Sequence, residues 1–115
     1  MLLITSRETR RWVIPKGWPI KGMSSAKSAA QEAFEEAGVR GKVHKRPVGV
    51  YHYDKRLKNG RMQHVRVAAF AMAVETEAEV YPELGQREKA WVTPTEAAKL
   101  VDEPELMVLL ATFKA

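Results

Sequence analysis

Apolar residues recur along the chain with different periods, and each period predicts an element. Leu2-Leu3-Ile4-Thr5 is a short apolar run that reads as a strand. Trp12-Val13-Ile14 is another, set off by the polar turn Arg7-Glu8-Thr9-Arg10-Arg11 and closed by Pro15. The period then changes to that of a helix over Ser25 to Ala37. At roughly 100° per residue, Ala26, Ala29, Ala30, Ala33, Phe34 and Ala37 fill most of one side. Glu32, Glu35 and Glu36 fall within about one third of the circumference on the other. Ser24 or Ser25 supplies a cap for the first amides, and Gly38 sits where helices commonly end in a left-handed residue.

Val43 to Tyr53 has the composition of a strand, polar at His44, Lys45 and Arg46 and apolar at Val48, Val50 and Tyr51. Lys58-Asn59-Gly60 is a hairpin signal, so a return strand from Gln63 to Val74 is expected to pair antiparallel with it. The middle of that strand is apolar on both alternating sets, Ala68, Phe70 and Met72 against Val67, Ala69 and Ala71. A strand covered on both faces implies layers, helix over sheet over helix. Val74 to Gly85 is acidic and turn-rich, and Lys89 to Val92 is a final strand. Thr93-Pro94-Thr95-Glu96 opens a helix with a capping box and a proline at its first position, and Asp102-Glu103-Pro104-Glu105 repeats the arrangement before Leu106 to Phe113.

With 115 residues and neither repeats nor low-complexity tracts, one domain is expected. The absence of cysteine removes disulfide frameworks and thiolate chemistry, and the apolar start from Met1 to Ile4 is too short for a signal peptide or membrane span, so the expected location is cytoplasmic. A net charge of +5 suits a polyanionic ligand, nucleic acid included, although the cations are scattered rather than in one tract.

The acidic helix face changes the picture most. A solvated charged face is the bland reading of E-x-x-E-E. Here, however, Gln31 and Glu32 stand four residues before Glu35 and Glu36, so no cation precedes them at i−4, and only Arg40 follows Glu36 at i+4. Ser25 and Ser28 continue the same face with small side chains that would leave space. Hard oxygen ligands beside open space suit Mg²⁺ or Mn²⁺, which keep waters and take further ligands from a substrate phosphate.

The stretch RWVIPKGWPIKGMSSAKSAAQEAFEEAGV resembles the Nudix box, G-x5-E-x7-R-E-U-x-E-E-x-G-U with U aliphatic, with Gly17, Glu32, Glu35, Glu36, Gly38 and Val39 in register. Met23 stands at the box glutamate and Gln31 at the box arginine, so the ion pair that braces the loop in the family is replaced on both sides, and Ala33 stands for the aliphatic. R-W-V-I-P-K-G-W with E-E-A-G-V-R-G looks most like the branch of diphosphoinositol polyphosphate and dinucleoside polyphosphate hydrolases. The resemblance implies an α/β (α+β) fold, a Nudix α/β/α sandwich with a mixed sheet between helices. It makes residues 1–115 a single domain that lacks one strand ahead of Leu2.

It also implies a metal-dependent pyrophosphohydrolase, with Mg²⁺ or Mn²⁺ held by Glu32, Glu35, Glu36 and the carbonyl of Gly17, and with Glu32 orienting or deprotonating the attacking water. Glu83 or Glu88 would supply a fourth carboxylate. Arg10, Lys16, Lys21 and Arg66 are candidates for the distal phosphates by position and charge. Trp12 and His64 are weaker candidates for ligand contact, Trp12 reading also as core and His64 as a solvated side chain. The expected partner is a small polyphosphorylated molecule, a dinucleoside polyphosphate or an inositol pyrophosphate, with neither membrane nor nucleic acid expected. Two rivals remain. One is a Nudix-like module that binds nucleotide or RNA without turnover, and the other is a plain basic nucleic-acid-binding domain. Against both, a polyanion binder gains nothing from carboxylates facing its ligand.

Overall fold

A computed structural model describes residues 1–114. In chain order the elements are β1 (Leu2–Thr5), β2 (Trp12–Val13), α1 (Ser25–Ala37), β3 (Val39–Val43), β4 (Gly49–Arg56), β5 (Met62–Ala69), β6 (Met72–Glu77), β7 (Lys89–Trp91), α2 (Pro94–Leu100) and α3 (Pro104–Thr112). The strands form three sheets, β2-β1-β7, β3-β6 and β4-β5, and all four strand pairings are antiparallel. The parallel component among the described residues is the single bridge Trp12–Val101.

Strand β1 organises the layers. Its neighbours Leu3 and Ile4 point to opposite faces because side chains alternate along a strand. Leu3 packs with Tyr51, Ala97, Val101, Leu106 and Leu110, which covers one face with α2 and α3. Ile4 packs with Val13, Ala33, Ala37 and Val39, which covers the other with α1. This is the α/β/α sandwich. An apolar cleft of about 450 Å³ runs between Ala29, Ala30 and Ala33 of α1, the β3-β6 ladder and Leu109 of α3.

Helix α1 begins and ends where expected. Ser24 Oγ accepts the Lys27 amide, and Gly38 adopts the left-handed conformation at φ 73° while its N–H closes on the Phe34 carbonyl. Helix α2 has the full capping box between Thr93 and Glu96. The expected repeat of that logic at residues 102–105 does not hold, because Glu103 precedes α3 without a side-chain cap. Its carboxylate is buried instead, in the field of Tyr51 and Lys16.

The long hairpin is also different from the expectation. The strand expected over 43–53 is the end of β3 followed by β4, and that over 63–74 is β5 followed by β6. His44 and Val48 bracket the break, donating to the carbonyls of Ala71 and Ala69. Five residues on one side therefore face two on the other. Pro47 lies in the longer side, with no amide to give a ladder. Strand β3 itself escapes a sequence reading because V-R-G-K-V offers only two apolar side chains, at its ends, around a glycine.

Candidate active site

The loop from Pro15 to Met23 folds back along α1, where two backbone amides tie it to helix side chains and a third closes a turn within the loop. The Ile20 amide donates to Ser28 Oγ at 3.0 Å, the Met23 amide to the Ile20 carbonyl at 3.1 Å, and the Lys16 amide to Glu36 Oε1 at a long 3.4 Å. Ser28 is buried as a result, so the open space expected beside it is taken by the loop itself. These bonds brace the loop in place of the absent box ion pair, with Met23 left 45% exposed.

Glu36 is 5% exposed and lies within hydrogen-bond contact of Glu32. Burial, first, and then the Glu32 carboxyl push the Glu36 pKa up to about 8, while Arg87 pulls the other way. Arg87 loses that contest for a geometric reason. Its guanidinium is 3.8 Å from Glu36 but 2.9 Å from Glu83, and it also donates to the Thr5 carbonyl at 3.2 Å. Glu35 is half-buried, and its carbonyl accepts the Glu83 amide, which ties the later loop to the helix. Of the two candidates for a fourth carboxylate, Glu83 therefore reaches the cluster through Arg87. Glu88 is exposed, its backbone paired with Thr5.

Gly17 lies against the Glu32 carboxylate so closely that a Cβ there would sit 2.4 Å from its carboxyl carbon. The obstructing atoms are the end of a flexible side chain. Gly17→Ala is therefore expected to cost under ~1 kcal/mol of stability. By displacing Glu32 by about an ångström it should still lower turnover by ~10-fold or more, since misplacements of that size carry such penalties. Thermal unfolding and steady-state rates on the same preparation check the two halves separately.

Lys16 is the cation that sits beside this cluster. Its Nζ stands 5.1 Å from the centre of the Tyr53 ring, and burial holds its ammonium below the ordinary lysine pKa, with Glu36 and then Glu103 partly offsetting the shift. The other candidate cations form no ion pair or hydrogen bond with the three glutamates among the described residues. Arg10, at φ 60°, donates to the Gln86 carbonyl, and Lys21 is exposed in the turn before Met23. Arg66 pairs with His52 across the β4-β5 ladder, so strand alternation puts it on the face opposite Tyr53 and Lys16. His64 shares the Arg66 face, stacked on His52 at 5.4 Å and bonded to Asp54 at 3.0 Å. Trp12 packs against the Leu3 core.

Arg87 and Tyr53 escaped the sequence reading. Arg87 had a signal, its i,i+4 spacing from Glu83, but Tyr53 had none, because its role depends on a residue 37 positions earlier. Among the described residues no group of three or more carboxylates, histidines or cysteines converges to hold a metal; Glu32 and Glu36 are the pair that meets. Their chemistry nevertheless fits a hard divalent cation. Two oxygen donors meet, one of them desolvated at Glu36, and one proton between them does what a cation would do.

Nudix hydrolase 12 of Arabidopsis thaliana, mitochondrial, is 32% identical over 105 residues, covering 87% of this chain and 51% of the relative. Nudix hydrolase 13 of the same plant, also mitochondrial, is 31% identical over 107 residues, covering 87% and 52%. The chain thus spans about half the length of the curated relatives it matches. In three dimensions it is similar to a C. elegans Ap4A hydrolase in a binary complex, with a TM-score of 0.64 at 22% identity over 96% of this chain and 80% of that one. The E. coli ORF135 protein gives a TM-score of 0.57 at 20% identity, over 97% and 77%. The family model described as the NUDIX domain matches residues 1–112, and on that match, with Gly17, Glu32 and Glu36 brought together, the chain belongs to the Nudix family.

Proposed function

We propose that this chain is a metal-dependent pyrophosphohydrolase that cleaves a phosphoanhydride in a polyphosphorylated small molecule. The observation that carries the reading is the contact between the half-buried Glu32 and the buried Glu36 under the Gly17 backbone, two carboxyls that share a proton where a cation would stand. Glu32, Glu35 and Glu36 with the Gly17 carbonyl would hold Mg²⁺ or Mn²⁺, and Glu83 would extend the set through the Arg87 contact. When bound, the cation supplies a Lewis acid that offsets phosphoryl charge and acidifies the attacking water.

The protein's own groups do the remainder. Glu32 accepts the proton of the water and aims it. Lys16, fixed between Glu36 and Tyr53, neutralises a phosphate next to the one attacked. Arg87 keeps Glu36 and Glu83 in place, and Glu35 holds the later loop through its carbonyl.

Substrates with several phosphates, dinucleoside polyphosphates or inositol pyrophosphates, fit a site with a dedicated cation outside the carboxylate cluster. Fold similarity to an Ap4A hydrolase agrees with that class. The test is phosphate release from a panel with Mg²⁺, repeated with Lys16→Ala. A desolvated charge-assisted contact is worth roughly 1.5–3 kcal/mol, so the variant should lose about tenfold or more on a long phosphate chain and less on a nucleoside diphosphate sugar. Equal losses on both, or a preference of the parent for the sugar, would count against the polyphosphate assignment.

A further inference from the structure

Trp18 is 58% exposed, although indole side chains are highly buried on average. It follows Gly17 directly, about 3.8 Å along the backbone from the point where the loop meets Glu32. It also precedes Pro19, which biases the residue before it to extended backbone and so fixes where the ring is attached. On one face of the ring Lys55 Nζ stands 5.9 Å from the centroid. Lys55 and Tyr53 share a face of β4, and Lys16 lies over Tyr53. A row therefore leads outward from the carboxylates, Glu32 under Gly17, then Lys16 on Tyr53, then Lys55 on Trp18.

The cations of that row suit phosphates of any origin. The open indole does not, because a phosphate chain or a phosphorylated cyclitol has no flat π-face to lay on it. A nucleobase has one, and stacking on an exposed aromatic tolerates any base. On the basis of the pyrophosphohydrolase reading above, we infer that Trp18 is the stacking surface for the base of a nucleotide substrate and that Lys55 meets the phosphate next to that base. The polyphosphate substrate is then a nucleotide, not an inositol pyrophosphate.

ATP and inorganic tripolyphosphate carry the same three phosphates and differ by adenosine, so they isolate the ring. Calorimetric binding of each to the whole chain in Ca²⁺ buffer, where turnover is slow, is compared for the parent, Trp18→Ala and Trp18→Phe. The parent should bind ATP at least ~10-fold more tightly than tripolyphosphate, and Trp18→Ala should remove that margin while Trp18→Phe keeps most of it. Tripolyphosphate affinity should be the same in all three. No measurable ATP binding, equal affinity for the two probes in the parent, or a Trp18→Ala loss that is absent or shared by both probes would overturn the inference. Because the readout is binding, the two readings fail separately. Trp18-dependent ATP binding by a chain that cleaves no phosphoanhydride defeats the hydrolase reading alone. Cleavage of the substrate panel with Trp18-independent binding defeats the stacking alone.

Discussion

Glu36→Gln is expected to lower turnover by at least ~100-fold while leaving the fold intact, since a metal-ligand or general-base role typically contributes on the order of 10²–10⁴. The amide is isosteric, can still accept the Lys16 N–H and can donate to Glu32, so the loop keeps its contact. A second readout comes from pH. The Glu36 carboxyl is raised from an ordinary 4.5 to about 8, so in the folded metal-free protein it holds a proton that the unfolded chain has released. Its contribution to stability is complete below pH 4.5 and is lost as pH rises toward 8, at a slope of at most about 1.4 kcal/mol per pH unit. Urea unfolding in chelator should therefore show the parent weakening from pH 5.5 to 8.5 and Glu36→Gln staying nearly level. Glu35→Gln should share the loss of turnover without the flattened pH profile, because its carboxyl is not in the Glu32 contact. If both variants turn over like the parent, the acidic face is a solvated surface and the proposed site is wrong.

Removal of divalent metal is expected to abolish phosphoanhydride cleavage, and Mg²⁺ or Mn²⁺ to restore it. The expectation rests on the contact of the buried Glu36 carboxyl with Glu32, which Arg87 approaches only to 3.8 Å and which holds a proton when no cation is bound. Metal binding requires both carboxyls ionised, so it competes with the proton on Glu36 and should strengthen with pH. Thermal unfolding with and without saturating Mg²⁺ gives a readout independent of activity. Stabilisation by the ion should be larger at pH 8.5 than at pH 6, and should shrink in Glu36→Gln. Activity that persists after exhaustive chelation would contradict the mechanism, and stabilisation that falls with pH would contradict the ligand set.

Helix α1, its Ser24 cap, its Gly38 terminus and the register of Gly17 with the three glutamates follow from the sequence itself. Period, capping and left-handed glycine are properties of residues within a few positions of one another. The capping box of α2 belongs to the same class. The layer order does not, because the pattern that implies it is one continuous strand over 63–74, which is β5 followed by β6, whereas the strand covered on both faces is β1. Pro47 is a local sign of the break in the hairpin, although the composition of Val43 to Tyr53 reads through it as one strand. What the tertiary structure decided is which face of each element meets which other. The acidic face of α1 is partly covered by the 15–23 loop, which buries Glu36 and Ser28, the latter beneath the Ile20 amide, while Glu32 and Glu35 stay half-buried. Arg87 reaches Glu36 from 51 positions away, Tyr53 receives Lys16 and not Arg66, and Glu103 turns inward instead of capping α3. Each of these is a desolvated contact between distant segments, and its energy depends on burial and on distances of 3–6 Å that no spacing along the chain encodes.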